Sequence, residues 1–571
     1  MKRIIIALIL ALSLLLSSCD FIAQFTSGKD SEQGDASSNT GDSNGGVDVN
    51  SPCPGKPDGD KDTSGGSSGG NNDGEDTDTD GDTADKKPDD DKTDDDFTPH
   101  EDEDNNGLCD NCGITVIVEI NFLVINDFHG KMSDSDTQPG VDELSLYLRN
   151  LKSSHPNSIL LSTGDMWQGG AESNLTKGLL VTEWMNELDF AAMTLGNHEY
   201  DWGEEYIEAN AEAAEFPFLA INIYDRYTDQ PVDYCAPSVM VDCGGIQVGI
   251  IGAIGDCYSS ISSDKCEDVY FKTGNALTAL VKAESEKLRS EGADLIVYSI
   301  HDGYGSSTSG SISSNGLSGY YDTSLSSGNY VDIVFEGHSH QKYSLVDDWN
   351  VYHLQSGGDN SGFTHATVNV NFANGTETTK RASNVSSYTY ASLEPDPYIQ
   401  DLFDEYAEVI AKAYEYLGYN TSYRSSSYLK QLVADLYLEL GEKTWGEEYD
   451  IVLGGGYLST RSPYNLYAGD VTYADLMMLF PFDNEITLCS VKGYDLRKKF
   501  TETSNSNYYV GYSEYGASIK NRIDDNATYY IIVDSYTAQY KYNNLTVIAT
   551  YDTKTFARDL LAEYIKSGRL K

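Results

Sequence analysis

The chain has 571 residues, with 38 Lys and Arg against 91 Asp and Glu and a formal net charge of −53. That length allows two or three domains with full cores. That charge leaves no basic face to neutralise a phosphate backbone, which excludes duplex nucleic acid as a partner; it fits a solvated exported protein or one that gathers cations.

The N-terminus reads MKRIIIALILALSLLLSSCD. Lys2 and Arg3 precede an apolar run that is short for a spanning helix and ends at small residues, as signal peptides do. Leu16-Ser17-Ser18-Cys19 closes the run and resembles a bacterial lipobox. Residues 1–19 are therefore expected to be a lipoprotein signal peptide, with a lipid on Cys19. Such a chain would be exported and anchored to the cell membrane without a spanning helix, facing outward or into the periplasm.

Residues 20–114 are mostly Gly, Ser, Asp, Asn and Thr. Such a composition cannot bury a core and predicts a disordered, self-repelling acidic tether. Near its end, Asp102, Asp104, Asn106 and Gly107 match the first half of a calcium loop. A linker this acidic also matches it by composition, which is the plainer reading. Cys53, Cys109 and Cys112 fall in the same region. In the folded part, "CYSSISSDKC" makes Cys257–Cys266 the easiest local disulfide, which export would permit.

Order is expected from Ile114. "ITVIVEINFLVIND" reads as a buried strand. A helix over Val141–Leu151, the strand "SILLST", a helix over Leu179–Leu188 and the strand "AAMTL" follow. Then come "FPFLAINI", "IQVGIIGAIG", a helix over Asn275–Ser290, "ADLIVYSI", "VDIVFEG" and "VYHLQSG". Strands alternating with helices predict an α/β domain over residues 115–392. "DPYIQDLFDEYAEVIAKAYEYLG" carries apolar residues at helical spacing behind Pro397, so residues 393–417 read as a connecting helix. A second, Tyr-rich domain covers residues 418–571.

Polar motifs follow strand after strand, where α/β folds place their sites. "NDFHG" offers Asp127 and His129, and "STGDMWQGG" offers Asp165. "TLGNHEYDWG" offers Asn197, His198 and Asp201; "YSIHDG" offers His301; "FEGHSHQ" offers His338 and His340. Five of the chain's nine histidines fall in these motifs. One histidine at a strand end is commonly structural, but five with Asp and Asn beside them point to a metal centre. On extended segments residues i and i+2 share a face, so Asp127/His129 and His338/His340 would each present two ligands to one side. Oxygen and imidazole donors without Cys suit Mn, Zn, Fe, Co or Mg.

In order, D-x-H, G-D, G-N-H-E, a lone His and G-H-S-H resemble the calcineurin-like metallophosphoesterases. "GGG", "GDVTYADLMMLFPFDN" and the connecting helix narrow the resemblance to the 5′-nucleotidase family. It implies a four-layer αββα sandwich followed by a smaller α/β substrate-binding domain. It implies that Asp127, His129, Asp165 and His340 hold one divalent metal, and that Asp165, Asn197, His301 and His338 hold a second. It assigns His198 to transition-state charge and Asp201 to orienting His198, with Asn197 also near the substrate. Phe482 and Tyr536 match aromatics that stack on a base, and Asn484 matches a polar contact.

The chain departs from that family in the second domain. Leu453 and Leu458 stand where Asn and Arg are expected, Arg461 follows three residues on, and Arg424 sits near another family arginine. Tyr540 to Tyr542 replace a G-G-D that includes a ribose-binding Asp. The reading is an extracellular two-metal phosphohydrolase of nucleotides, with cyclic nucleotides and nucleotide sugars as related substrates. Its rivals are a metallophosphatase for a non-nucleotide phosphoester and a non-catalytic surface ligand-binding protein.

Overall fold

The β-branched run Ile117–Ile125 is buried along almost its whole length and becomes the third strand of a six-stranded sheet. A strand covered on both faces needs a near-continuous apolar sequence rather than an alternating one. The computed structural model describes residues 100–570, except 135–137, 304–329, 348, 459, 461–464, 502–507, 543 and 553. The signal peptide, Cys19 and most of the tether lie outside the described residues. Among those described, no helix is long and apolar enough to cross a membrane.

The first sheet runs in the order Thr376–Ser386, Gly362–Asn371, Ile117–Ile125, Ser158–Ser162, Ala192–Thr194 and Phe218–Leu219. The last four strands are parallel, joined by helical crossovers. The second sheet runs Lys342–Val346, Tyr352–Ser356, Ile333–Glu336, Leu295–His301, Ile246–Ile254 and Ser238–Cys243. Ile120, Phe122 and Leu161 of one sheet pack against Val248, Val297 and Phe335 of the other. Helices Val141–Ser154 and Leu179–Glu187 cover the outer face of the first sheet, and Asn275–Ser290 covers that of the second. This is the four-layer αββα sandwich that the sequence led us to expect.

The second domain has a five-stranded sheet in the order Tyr508–Tyr512, Ile451–Tyr457, Thr528–Asp534, Ile486–Lys492 and Thr546–Thr550. The helix Ser426–Trp445 packs on it. The expected connecting helix is two helices, Pro397–Glu405 and Ala407–Ala413, broken at Tyr406. Asp396 caps the first by accepting from Tyr398 N–H at 3.0 Å, with Pro397 at its first position. Ile399 and Leu402 bury in the first domain's core and Ala413 in the second's, so the break lets one segment serve two cores.

Three expectations are corrected. The segment from His100 to Gly113, expected to belong to the disordered tether, is packed: His100, Asp102 and Cys109 are buried against the end of the first sheet. "FPFLAINI" is two strands, Phe218–Leu219 and Ile223–Asp225, because Asn222 turns its amide to Ile254 O and Lys272 O. Cys257 and Cys266 are not bonded to each other; the Cys257 thiol donates to His301 O at 2.8 Å instead.

Candidate active site

Both sheets release their chains toward one point. Asp127, Asp165 and Asn197 follow the carboxyl ends of Ile117–Ile125, Ser158–Ser162 and Ala192–Thr194. His301 ends Leu295–His301, and His338 follows Ile333–Glu336. The pairing within each motif is not that of an extended segment. Asp127, His129, Asp165, His338 and His340 all have left-handed backbones, with φ of 49°, 54°, 53°, 68° and 53°. Left-handed turns, rather than the i, i+2 spacing of a strand, aim these side chains. Such conformations are uncommon for residues with a side chain and persist where the surroundings impose them. Gly164 and Gly196 make room: a Cβ on Gly196 would lie 2.3 Å from Asp165 Oδ1, and one on Gly164 2.7 Å from Gly196 N.

The seven predicted donors meet. His129 Nε2 and His340 Nε2 are 3.0 Å apart, and His340 Nε2 is 3.4 Å from Asp127 Oδ1. His301 Nε2 is 3.1 Å from Asp165 Oδ2. Asp127 is within reach of His129 and His340 and, together with Asp165, of His301. Backbone acceptors fix the rings: His129 Nδ1 is 2.8 Å from Gln168 O, and His301 Nδ1 is 2.7 Å from Thr163 O. With Nδ1–H donated to a carbonyl, Nε2 faces the centre as a lone pair, the arrangement of metal-bound histidines. Asn197 Oδ1 is buried with no hydrogen bond in the described structure. A buried amide oxygen without a donor is costly unless a cation takes its place. The donor set therefore fits divalent metals.

The electrostatics agree. Asp165 is buried, which alone would raise its pKa, but His301, His198 and His129 hold it well below the usual carboxylate range. Burial pulls His301 down, yet the Asp165 carboxylate outweighs it and raises its pKa to about 10. His338 falls to about 4 through burial and the neighbouring His301. The pocket around His301 Nε2 is built to receive a positive charge.

His198 stands beside this centre. Its Nδ1 is 2.9 Å from Asp201 Oδ2, while its backbone N–H donates to Asp165 Oδ1 at 2.8 Å. Asn197, His198, Asp201 and His338 line a cleft of about 410 Å³ whose opposite wall carries Phe482, Asn484 and Tyr536 of the second domain. Arg424 does not line it; its guanidinium lies over the Tyr428 ring, 4.9 Å from the centroid. Arg461 lies outside the described residues. Leu453 and Leu458 are buried in the second domain's cores. Tyr540 lines the cleft, bonded through its hydroxyl to the Asp264 carboxylate and accepting from Asp264 N–H at 3.0 Å.

Two structural features are missed by sequence reasoning. Glu199 is fully buried and accepts from the N–H groups of Asp165, Met166, Trp167 and Gly196, at 2.9, 2.8, 3.4 and 2.7 Å. Its place in "GNHE" is the available signal. Asp483 joins Lys177 of the first domain, at 2.5 Å, to Arg558 of the second. Arg558 also donates to Phe480 O and Phe482 O, at 3.3 and 3.1 Å, and so sets the Phe482 segment. No local pattern marks Arg558, which comes from a distant helix. In the calcium-like loop, Asp102 accepts from Asn106 N–H, Gly107 N–H and Asn371 Nδ2, and Asp104 from Asn106. These oxygens close the turn.

A family model described as calcineurin-like phosphoesterase matches residues 120–342, and one described as the 5′-nucleotidase C-terminal domain matches 409–549. The chain is 25% identical to an apyrase of Tabanus yao over 427 residues, covering 67% of this chain and 72% of the apyrase. It is 25% identical to a snake venom 5′-nucleotidase of Naja atra over 420 residues, covering 67% and 77%. The crystal structure of a 5′-nucleotidase precursor from Thermus thermophilus shares the fold, with a TM-score of 0.57, 18% identity and coverage of 79% and 96%.

Proposed function

Because the chain belongs to the 5′-nucleotidase family of metal-dependent phosphoric ester hydrolases, we propose that it is an exported two-metal nucleotide phosphohydrolase held at the membrane by a lipid on Cys19. One observation carries the catalytic part: seven metal-type donors converge on a cleft whose other wall offers Phe482 and Tyr536. Asp127, His129, Asp165 and His340 would hold one divalent ion, and Asp165, Asn197, His301 and His338 the other. Such a pair supplies an activated water and neutralises phosphoryl charge. The remaining work belongs to the chain. Phe482 and Tyr536 receive a flat base, with Asn484 beside them. Asp201 accepts from Nδ1–H of His198, so a protonated His198 presents Nε2–H to a phosphoryl oxygen and stabilises charge as the bond to the leaving oxygen breaks.

A phosphate-release panel of nucleoside monophosphates, cyclic nucleotides, nucleotide sugars and an aryl phosphate, run with Mn, Zn, Co, Fe and Mg, tests this. Nucleotides should be hydrolysed, and Asp165→Asn should abolish turnover while the variant stays folded. Release from no substrate, or near-normal turnover in metal-loaded Asp165→Asn, would count against the proposal. Acylation that persists in Cys19→Ala would count against the anchor. A second reading, a phosphatase for a non-nucleotide ester, draws on Leu453 and Leu458 being core residues and on Tyr542, buried at the position of the family's ribose-binding Asp. Turnover of the aryl phosphate alone would favour it.

A further inference from the structure

A second cluster of donors lies far from the catalytic cleft. His100, Cys109 and Cys112 bring one ring nitrogen and two sulfurs within 4.8 Å of one another. They sit at the amino end of the strand Ile117–Ile125, whose carboxyl end leads to Asp127. A nine-residue strand separates the two sites by roughly 30 Å.

We propose that His100, Cys109 and Cys112 bind a structural zinc ion that fastens the start of the folded chain to the catalytic domain. Three observations carry this. The first is donor chemistry: a Cys-x-x-Cys pair with a histidine is a zinc set, and its soft thiolates separate it from the oxygen and imidazole donors of the active site. The second is distance. Zinc bonds of about 2.3 Å to sulfur and about 2.05 Å to nitrogen put the S···N edge of a tetrahedron near 3.6 Å; Cys112 Sγ and His100 Nδ1 are 3.5 Å apart.

The third is the scaffold. Leu108 pairs with Thr115, Cys109 N–H donates to Ile114 O at 2.8 Å, and Gly113 N–H donates to Cys109 O at 2.7 Å. Gly113 has φ of +76°, which a glycine adopts without strain. This knuckle turns both sulfurs to one side. The Asp102 turn brings His100 back to face them, tied through Asp102 to Asn371 at 2.6 Å. Cys109 and Cys112 pack with Val116 and Phe372, which screens the cluster from water. The two cysteines are not bonded to each other. Burial pushes the Cys109 thiol up, but the backbone N–H of Glu101 and the His100 ring outweigh it, and its pKa falls to about 6.

The test uses the full chain. Cobalt(II) substituted into the purified protein should give a thiolate-to-metal charge-transfer band in the near ultraviolet, lost in Cys109→Ser/Cys112→Ser. The seven catalytic donors contain no thiolate, and Cys257, whose sulfur lies near His301 and His338, is kept in the double variant, so loss of the band in that variant reports on this site. Zinc content should fall by one ion per chain in the double variant, while hydrolysis at low temperature stays within about twofold of wild type. Should the variant not fold, alkylation of the wild type decides: zinc should protect Cys109 and Cys112, and a chelator should expose them. No charge-transfer band, equal alkylation with and without zinc, or a Cys109–Cys112 disulfide in the native protein would overturn the proposal.

Discussion

Glu199→Gln probes how the metal-facing loops are held. The Glu199 carboxylate is fully buried and takes four backbone N–H groups, two on each oxygen. Glutamine has nearly the same shape but one acceptor. Whichever way its amide turns, an NH2 group faces two buried N–H donors and leaves both without an acceptor. Each orphaned donor costs about 1–3 kcal/mol, so the variant should lose roughly 2–6 kcal/mol. At a urea dependence near 3 kcal/mol per molar, the unfolding midpoint should drop by roughly 0.7–2 M. The loss falls on the loops carrying Asp165 and Asn197, so the catalytic metals should also leave more readily when a chelator competes. Urea unfolding of the metal-loaded proteins and a chelator competition measure the two effects. A Glu199→Gln protein with the wild-type midpoint and metal retention would refute the reasoning.

Three further outcomes follow from the same geometry. His198→Ala should keep both metals by elemental analysis but lose roughly 10²–10⁴ in rate, since His198 is placed beside the metal donors rather than among them. Phe482→Ala should raise KM for nucleotides by roughly 5- to 150-fold, the equivalent of about 1–3 kcal/mol of stacking, and leave a small aryl phosphate unaffected; unchanged nucleotide kinetics would remove the base slot. His353 is buried with Glu336 Oε1 at 2.9 Å and Asp347 Oδ2 at 3.4 Å. Burial lowers its pKa, but the Asp347 and Glu336 carboxylates outweigh this and raise it to about 9. A raised folded-state pKa gives stabilisation that is complete below the unfolded value of 6.5 and lost as pH rises through about 9. The urea midpoint should therefore fall over that window in the wild type and fall less in His353→Gln.

The parallel strands and their terminal motifs are legible in the sequence because both are local. "ITVIVEINFLVIND" is apolar enough to be a strand buried on two faces, and Asp127 and His129 follow at once. The strands Gly362–Asn371 and Thr376–Ser386 escape such a reading, because the first only alternates buried Ala366, Val368 and Val370 with polar residues and the second is almost wholly polar; one pairs with Ile117–Ile125 and the other extends the sheet. Strand spacing at i and i+2 groups Asp127 with His129 and His338 with His340, but left-handed turns rather than an extended segment aim these side chains. Spacing cannot reveal a left-handed backbone at a non-glycine residue, since only the packed surroundings impose it. By composition His100, Cys109 and Cys112 belong to the tether, although their burial depends on Phe372, which is far away in sequence.

The charge balance of the cleft bears on how a phosphoester could enter a chain of net charge −53. Asp201, Asp264, Asp483 and Glu485 line the cleft, with Lys265 as the lysine among its described lining residues. Three of these carboxylates have partners: Asp201 holds His198, Asp264 bonds Tyr540, and Asp483 joins Lys177 and Arg558. Lys177 and Arg558 are committed to Asp483 and offer a phosphate little. The position where the family carries an arginine is Leu458, buried in the core. Among the described lining residues, His198 and Lys265 can offer positive charge to a phosphate, beside the metals the site would hold. In this chain the metals would help to bind the substrate as well as to cleave it. The aromatic wall contributes in a way that charge does not affect. Specificity for the base can therefore survive while contacts to sugar and phosphate are rearranged.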